Sequence, residues 1–290
     1  MSCFSYGTGM RSEASNRCYC GQIQRLVQWY AALSRVAQRL PGVFVDERRI
    51  LCGSARFFSL PRVAARLANE NLSGYIFKKD SPSCGMERVK LYQESGPAKR
   101  AAIGMFASAL LERFPNLPVE EEGRLCDPRL RENWVERVFA FQALQQLWGS
   151  RWRVGSLVTF HTRYKFVLFA HDEKKYRELG RLVADAKSIP RDELKQSYEA
   201  TFMAALKRIA TTRKNVNVLQ HMLGFFSTEL DKHSRHELVA HIEDYHRGFV
   251  PLIVPMTLIR HYVRLLDIEY LKDQVYLNPH PKELALRNHV

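Results

Sequence analysis

The residues with the most chemical potential lie together, in Ser81-Pro82-Ser83-Cys84-Gly85. Two hydroxyls and one thiol fall within four positions, and Lys78 and Lys79 precede them. Such a thiol suits thiol, metal or cluster chemistry. The plainer reading is a small buried cysteine in a surface turn. The preceding stretch, Leu72 to Phe77, alternates and carries Tyr75, Ile76 and Phe77, which predicts a strand. Asp80 to Gly85 cannot continue it, because Pro82 lacks an N–H and serine and glycine favour turns. The thiol is therefore expected on a turn past the carboxyl end of a strand, where open α/β sheets bind ligands.

The elements that would position this turn follow from pattern. Val63 to Glu70 predicts a helix leading into the strand, and Val89 to Tyr92 a second short strand. Lys99 to Phe114 predicts a helix with Ile103, Phe106, Ala107, Leu110, Leu111 and Phe114 on its apolar side. Leu117 to Val119 predicts a short strand running into Glu120-Glu121-Glu122-Gly123-Arg124, where a solvated acidic turn is the plain expectation. Pro128 opens a helix to about Trp148, and Gly149 to Gly155 is the expected joint. This alternation predicts an α/β domain, Rossmann-like and incomplete, over residues 63–150.

Residues 151–290 predict an all-α domain. Helices are expected at Leu157–His171, Glu173–Ala186, from Pro190 through Ile209, at Val216–Leu230, from a capping box at Ser234-Arg235-His236-Glu237 to Gly248, and at Met256–Leu266. Thr211 to Asn215 reads as a basic turn, Pro251 and Pro255 as brackets of a kink, and Tyr270 to Asn288 as a surface strap. His161, His221, His241 and His261 lie on apolar helical faces, where hydrogen-bonded interior roles are expected over metal ligation.

Residues 1–62 differ from the rest. They contain no lysine, and their positive charge is wholly arginine. They hold Cys3, Cys18, Cys20 and Cys52, and one periodic helix, Ile23 to Leu40. The 290-residue chain carries a net charge of +14, with a pI near 9.6. A polyanion such as nucleic acid is the expected partner. Arg163, Lys165, Arg213 and Lys214 in the helical half are candidate phosphate contacts, as are Lys78, Lys79 and Arg124. No apolar run reaches the roughly 18–20 residues of a membrane span and no signal peptide is visible, so a cytoplasmic location is expected. Six cysteines in such a chain argue against a disulfide framework.

Ser81-Pro-Ser-Cys-Gly85, Leu117-Pro-Val-Glu-Glu-Glu-Gly-Arg-Leu125, Leu130-Arg-Glu-Asn133 and Glu136-Arg-Val-Phe139 resemble the thiouracil desulfidase (TudS) family. Phe160-His-Thr-Arg-Tyr-Lys165, Asn217-Val-Leu-Gln-His-Met222, Pro251 to Leu258 and Gln274-Val-Tyr-Leu277, with Leu286-Arg-Asn288, resemble the YbgA-like domain. Fused, the two resemble the RudS type of transfer-RNA 4-thiouridine desulfidase. The resemblance implies a [4Fe-4S] cluster on three cysteines, with an open fourth iron for the thione sulfur. By the same resemblance Cys84 is the third ligand, Ser81 and Ser83 lie beside the open iron, and Glu121 is a candidate acid or base. The family's other two ligands lie in an N-terminal cysteine loop and a Cys-Pro-Glu motif, neither of which occurs here. Cys18, Cys20 and Cys52 are the candidate partners. Residues 1–62 then read as a divergent or frame-shifted replacement, and loss of the cluster is one expectation. The rival readings are a desulfidase of the free base and a cluster-less nucleic-acid-binding remnant.

Overall fold

The computed structural model describes residues 67, 72–79, 81–91, 99–149, 151–226, 228–278, 284, 287 and 288. The expected helix Ile23–Leu40 and Cys3, Cys18, Cys20 and Cys52 lie outside them. Of the expected helix Val63–Glu70 only Leu67 is described, and it is helical.

Tyr75–Phe77 form strand β1, where the aromatic alternation placed it. Val89–Leu91 (β2) and Lys99–Ala102 (β3) pair antiparallel. Here the expected helix Lys99–Phe114 is corrected. Lys-Arg-Ala-Ala has good helix propensity, but pairing with β2 overrides it, since propensity is a weak prior against tertiary contacts. Gly104 is extended, and the helix α1 starts only at Met105 and ends at Arg113. Ile103 thus falls outside the helix and is 51% exposed, while Phe106, Ala107 and Leu110 are buried.

The next strand, β4, is Val119–Glu121 rather than Leu117–Val119. It pairs in parallel with β1, Tyr75 opposite Val119 and Phe77 opposite Glu121. The pairing pulls the acidic run into the sheet, and Glu120 and Glu121 are only 4% and 6% exposed. The solvated acidic turn is therefore overturned for these two residues. A 3-10 turn at Arg124–Cys126 leads to α2, Pro128–Trp148. Asp127 caps α2 by accepting from the amides of Arg129 and Leu130, and Pro128 sits in the first turn, where its missing N–H costs nothing.

The β1–β4 pair is sandwiched. Successive strand residues face opposite ways, so Phe77 meets Phe106 of α1 on one face, ring centroids 6.4 Å apart. On the other face α2 comes so close that a Cβ on Gly74 would lie 2.6 Å from Val138 Cγ2. Among the described residues the α/β part is this parallel pair, the β2–β3 hairpin and their two covering helices.

The rest is helical: α3 Val154–His171, α4 Glu173–Ala184, α5 Arg191–Leu206, α6 Thr212–Gly224, α7 Lys232–His246, α8 Ile253–Leu265 and α9 Glu269–Lys272. Several expected boundaries shift. Ile209 lies beyond α5 and is 37% exposed. The basic turn at Thr211–Asn215 is instead the cap and first turn of α6, with the Thr211 hydroxyl accepting from the Lys214 amide. The capping residue of α7 is Asp231, not Ser234: its carboxylate takes the amides of His233 and Ser234. A carboxylate beats a hydroxyl at that position because charge-assisted hydrogen bonds are stronger. α8 begins at Ile253, between the two prolines, with Pro255 in its first turn. One apolar core runs from Phe77 through Leu144 and Phe202 to Leu277. The tail is not a surface strap throughout, for Gln274, Tyr276, Leu277, Leu284 and Arg287 are buried. No helix among the described residues is long and apolar enough to cross a membrane.

Candidate active site

The turn after β1 is folded against the start of α1 by its own backbone. The Ser83 carbonyl accepts from the Phe106 and Ala107 amides, at 2.9 and 3.2 Å. The Gly85 amide donates to the Ser81 carbonyl at 2.8 Å, and the Gly104 amide to the Gly85 carbonyl at 2.7 Å. The Ser81 hydroxyl oxygen accepts from the Cys84 amide at 3.2 Å. Cys84, 6% exposed, is thereby fixed at the carboxyl end of β1 and joins the core. Both turn glycines are needed for close approach: a Cβ on Gly104 would lie 2.3 Å from the Ser83 oxygen, and one on Gly85 2.4 Å from Val89 Cγ2.

The two buried carboxylates brace this turn from the neighbouring strand. Glu121 Oε1 accepts from the Met86 amide at 2.8 Å and the Glu87 amide at 3.3 Å. Its own amide donates to Glu120 Oε1. Glu120 in turn meets Arg124 Nε at 2.7 Å and Arg137 Nη2 at 3.9 Å. Parallel pairing thus brings Ser81, Ser83, Cys84 and Glu121, spread over some forty positions, to one end of the sheet.

The cations expected at phosphates are dispersed. Lys78 pairs with Glu122 at 2.6 Å, and Arg124 is engaged by Glu120 and, at 3.7 Å, by Glu87. Lys165 Nζ donates to the Tyr270 hydroxyl at 3.3 Å. Lys214 Nζ donates to the His171 carbonyl. Lys79, Arg163 and Arg213 are exposed. Of the four expected interior histidines, His161 fits best. Its Nδ1 lies 3.2 Å from the Tyr198 hydroxyl, and burial, helped by Lys165, lowers its pKa from 6.5 to about 4. The imidazole is therefore neutral near pH 7.

Sequence reasoning missed a second cluster. His171 Nε2 lies 2.9 Å from Glu136 Oε2, and Glu136 Oε1 lies 2.9 Å from Arg287 Nη2. All three are less than 8% exposed. They come from α2, the end of α3 and the tail, so no local spacing reveals them. The signal in the sequence is that Glu136 and Arg287 each fall within a family-like motif.

Among the described residues, no group of three His, Cys, Asp or Glu side chains is arranged to hold a metal ion. Cys126, the other described cysteine, is exposed in the 3-10 turn. The turn therefore supplies one soft ligand of the three that the resemblance implies. The candidate partners Cys18, Cys20 and Cys52 lie outside the described residues.

Residues 55–122 match a family described as 2-thiouracil desulfurase. Residues 165–281 match a family described as a protein of unknown function, DUF1722. The chain is 34% identical over 161 residues to the uncharacterized protein YbgA of Escherichia coli strain K12, covering 55% of this chain and 95% of that protein. No solved structure matches the chain. The chain belongs to the YbgA family, and ahead of that part lies a segment that matches the 2-thiouracil desulfurase family.

Proposed function

We propose that the chain removes sulfur from a thiolated uracil, most simply 4-thiouridine within a transfer RNA, at the turn Ser81–Gly85. The observation that carries this reading is the fixed, nearly buried Cys84 at the carboxyl end of β1, inside the segment that matches the desulfurase family. In the overall reaction a thione C=S becomes C=O. Water supplies the oxygen, its protons leave with the sulfide, and no electrons change hands.

A [4Fe-4S] cluster held in part by Cys84 would supply a Lewis acid for the thione sulfur. The protein's own groups have separable roles. The Ser81 oxygen accepts from the Cys84 amide, which sets the hydroxyl's direction and leaves its proton to give to a bound base. The Ser83 hydroxyl, half-buried on the same turn, is the second donor. One oxygen of Glu121 is spent on the Met86 and Glu87 amides, so the other is the acid or base of the proposal. The helical part, 151–290 in this division of labour, holds the RNA by its backbone. Lys79, Arg163 and Arg213 are exposed for that role, and the exposed pair of Lys78 with Glu122 is weak enough to yield to phosphate, whereas Arg124 is held by the buried Glu120. A thiouridine stacked in folded RNA must be extruded to reach the turn.

The rival reading is a nucleic-acid-binding protein without catalysis, favoured by the single cysteine that the described residues bring to the site. Iron, acid-labile sulfide and sulfide release separate the two. They are measured on protein purified without oxygen, with thiolated transfer RNA and free 2-thiouracil as substrates. Cluster and sulfide release that both vanish in Cys84→Ser support the enzyme. Sulfide release that survives Cys84→Ser removes the assignment of this site, and RNA binding with neither cluster nor sulfide release supports the rival.

A further inference from the structure

A second concave feature, lined by none of the cysteine-turn residues, lies where α2 meets the helical part. A cavity of about 140 Å³ opens between α2, the end of α3, the start of α6 and the buried tail. That is room for a ring-sized molecule and not merely for one or two waters. Its wall is a closed ionic network. Glu136 lies between His171 and Arg287, and the Glu132 carboxylate accepts from the Arg287 amide at 2.9 Å. His171 Nδ1 faces the Arg208 carbonyl and its Nε2 faces Glu136, so both nitrogens meet acceptors. Beside them the Asn215 side-chain amide donates to the Tyr245 hydroxyl and accepts from the Tyr276 hydroxyl, both at 3.1 Å.

Most polar atoms of this wall bond one another, and a ring with hydrogen-bonding edges is the kind of ligand such a polar, ring-sized space suits. One donor is left over: Arg287 Nε is buried and makes no hydrogen bond among the described residues, although Glu132 Oε1 lies 3.4 Å away. The rim is different. Arg129 lines it, is exposed and pairs with no carboxylate among the described residues. Thr212, the first residue of α6, also lines it, and exposed Arg213 follows. A rim cation beside a helix start favours an anionic group there. Ile209, exposed, and Leu252, buried, add apolar lining.

We propose that this cavity binds a nucleotide unit, its base against the hydrogen-bonding wall and its phosphate at the rim on Arg129 and the first turn of α6. The +14 charge of the chain favours such ligands, and the proposal rests on the reading of an RNA substrate, placing one nucleotide where α2 meets the helical part.

Calorimetric titration of the full chain tests it, with uridine 5′-monophosphate, uridine, inorganic phosphate and a short uridine oligonucleotide as probes. The monophosphate is expected to bind more tightly than uridine or phosphate alone. Arg129→Ala is expected to weaken it roughly tenfold or more, the size of a lost hydrogen bond to a charged group, and to leave uridine unaffected. Ile209→Trp places a large group at an exposed lining position and is expected to abolish binding in a chain that still melts cooperatively. Tighter binding of the oligonucleotide than of the monophosphate names RNA as the source; exclusion of the oligonucleotide names a free nucleotide. Phosphate binding as tightly as the monophosphate, or binding indifferent to both variants, overturns the proposal. The titration does not depend on desulfuration, so a chain that binds nucleotide and releases no sulfide loses the catalytic reading and keeps this one.

Discussion

Two residues separate charge from geometry. Glu121 holds the Met86 and Glu87 amides from a strand position where it is nearly buried. Glu121→Ala leaves those donors without their acceptor and is expected to cost about 1–3 kcal/mol in denaturant unfolding. Glu121→Gln keeps an acceptor oxygen and loses the exchangeable proton. Near-native stability with sulfide release lowered about 100-fold or more is expected, the usual contribution of a general acid or base. An unchanged rate would reduce Glu121 to a brace for the turn. His161 tests burial instead. Its folded pKa of about 4 lies below the ordinary 6.5. Between these values the unfolded chain binds the proton and the folded one does not. Stability is therefore complete above pH 6.5 and falls as pH drops towards 4, by at most about 3 kcal/mol. His161→Gln can still hydrogen-bond Tyr198 and cannot titrate, so its stability profile should be flatter across that window. Parallel profiles for the two proteins would show that another group carries the acid sensitivity.

At the level of elements, the cysteine turn is held less by side chains than by how closely three pieces of backbone approach. The Ser83 carbonyl sits over the first amides of α1, and Gly104 leaves the space for it. Gly104→Ala would place a Cβ 2.3 Å from that oxygen and 2.8 Å from the Cys84 nitrogen. Neither atom is the end of a flexible side chain, so the turn or the helix start must move. A loss of about 1–3 kcal/mol is expected from overpacking, together with loss of whatever Cys84 does. Full stability and full activity in this variant would mean that the turn does not rest on α1. The same elements explain the misread helix at Lys99–Phe114. Lys-Arg-Ala-Ala at its start favours a helix, and only the pairing partner Val89–Leu91 makes a strand of it.

The whole molecule is tied together by α2 and the tail. One side of α2 covers the sheet, where Val138 approaches Gly74, and the other side meets the helices, where the Asn133 amide donates to the Leu206 carbonyl at 2.9 Å. Glu136 and Arg137 are consecutive, yet Glu136 serves the helical part's ionic network and Arg137 the strand β4. The tail returns to α2 through Arg287, which bonds Glu136 and stacks its guanidinium 4.7 Å from the Tyr276 ring. Arg287→Ala would remove the guanidinium that Glu136 faces in the core. The expected cost is about 3–5 kcal/mol, read as a lowered denaturant midpoint with an unchanged slope. A cost below about 1 kcal/mol would show that the tail merely lies against the core.

By itself the sequence determined what local chemistry can encode. The aromatic alternation of β1, the proline and glycine of the cysteine turn and the proline-started α2 were legible because each is written in neighbouring residues. So were most of the helices after Val154, whose apolar spacing is theirs alone. Only the tertiary structure decided the rest. It moved Glu120 and Glu121 from a presumed solvated turn into a strand, because their burial depends on β1, more than forty positions earlier. It chose Asp231 over Ser234 as a cap, since the competition depends on backbone geometry at the helix start. It also joined Glu136, His171 and Arg287, whose mutual attraction exists only once α2, α3 and the tail have packed: charges far apart along the chain carry no pattern until folding removes the water between them.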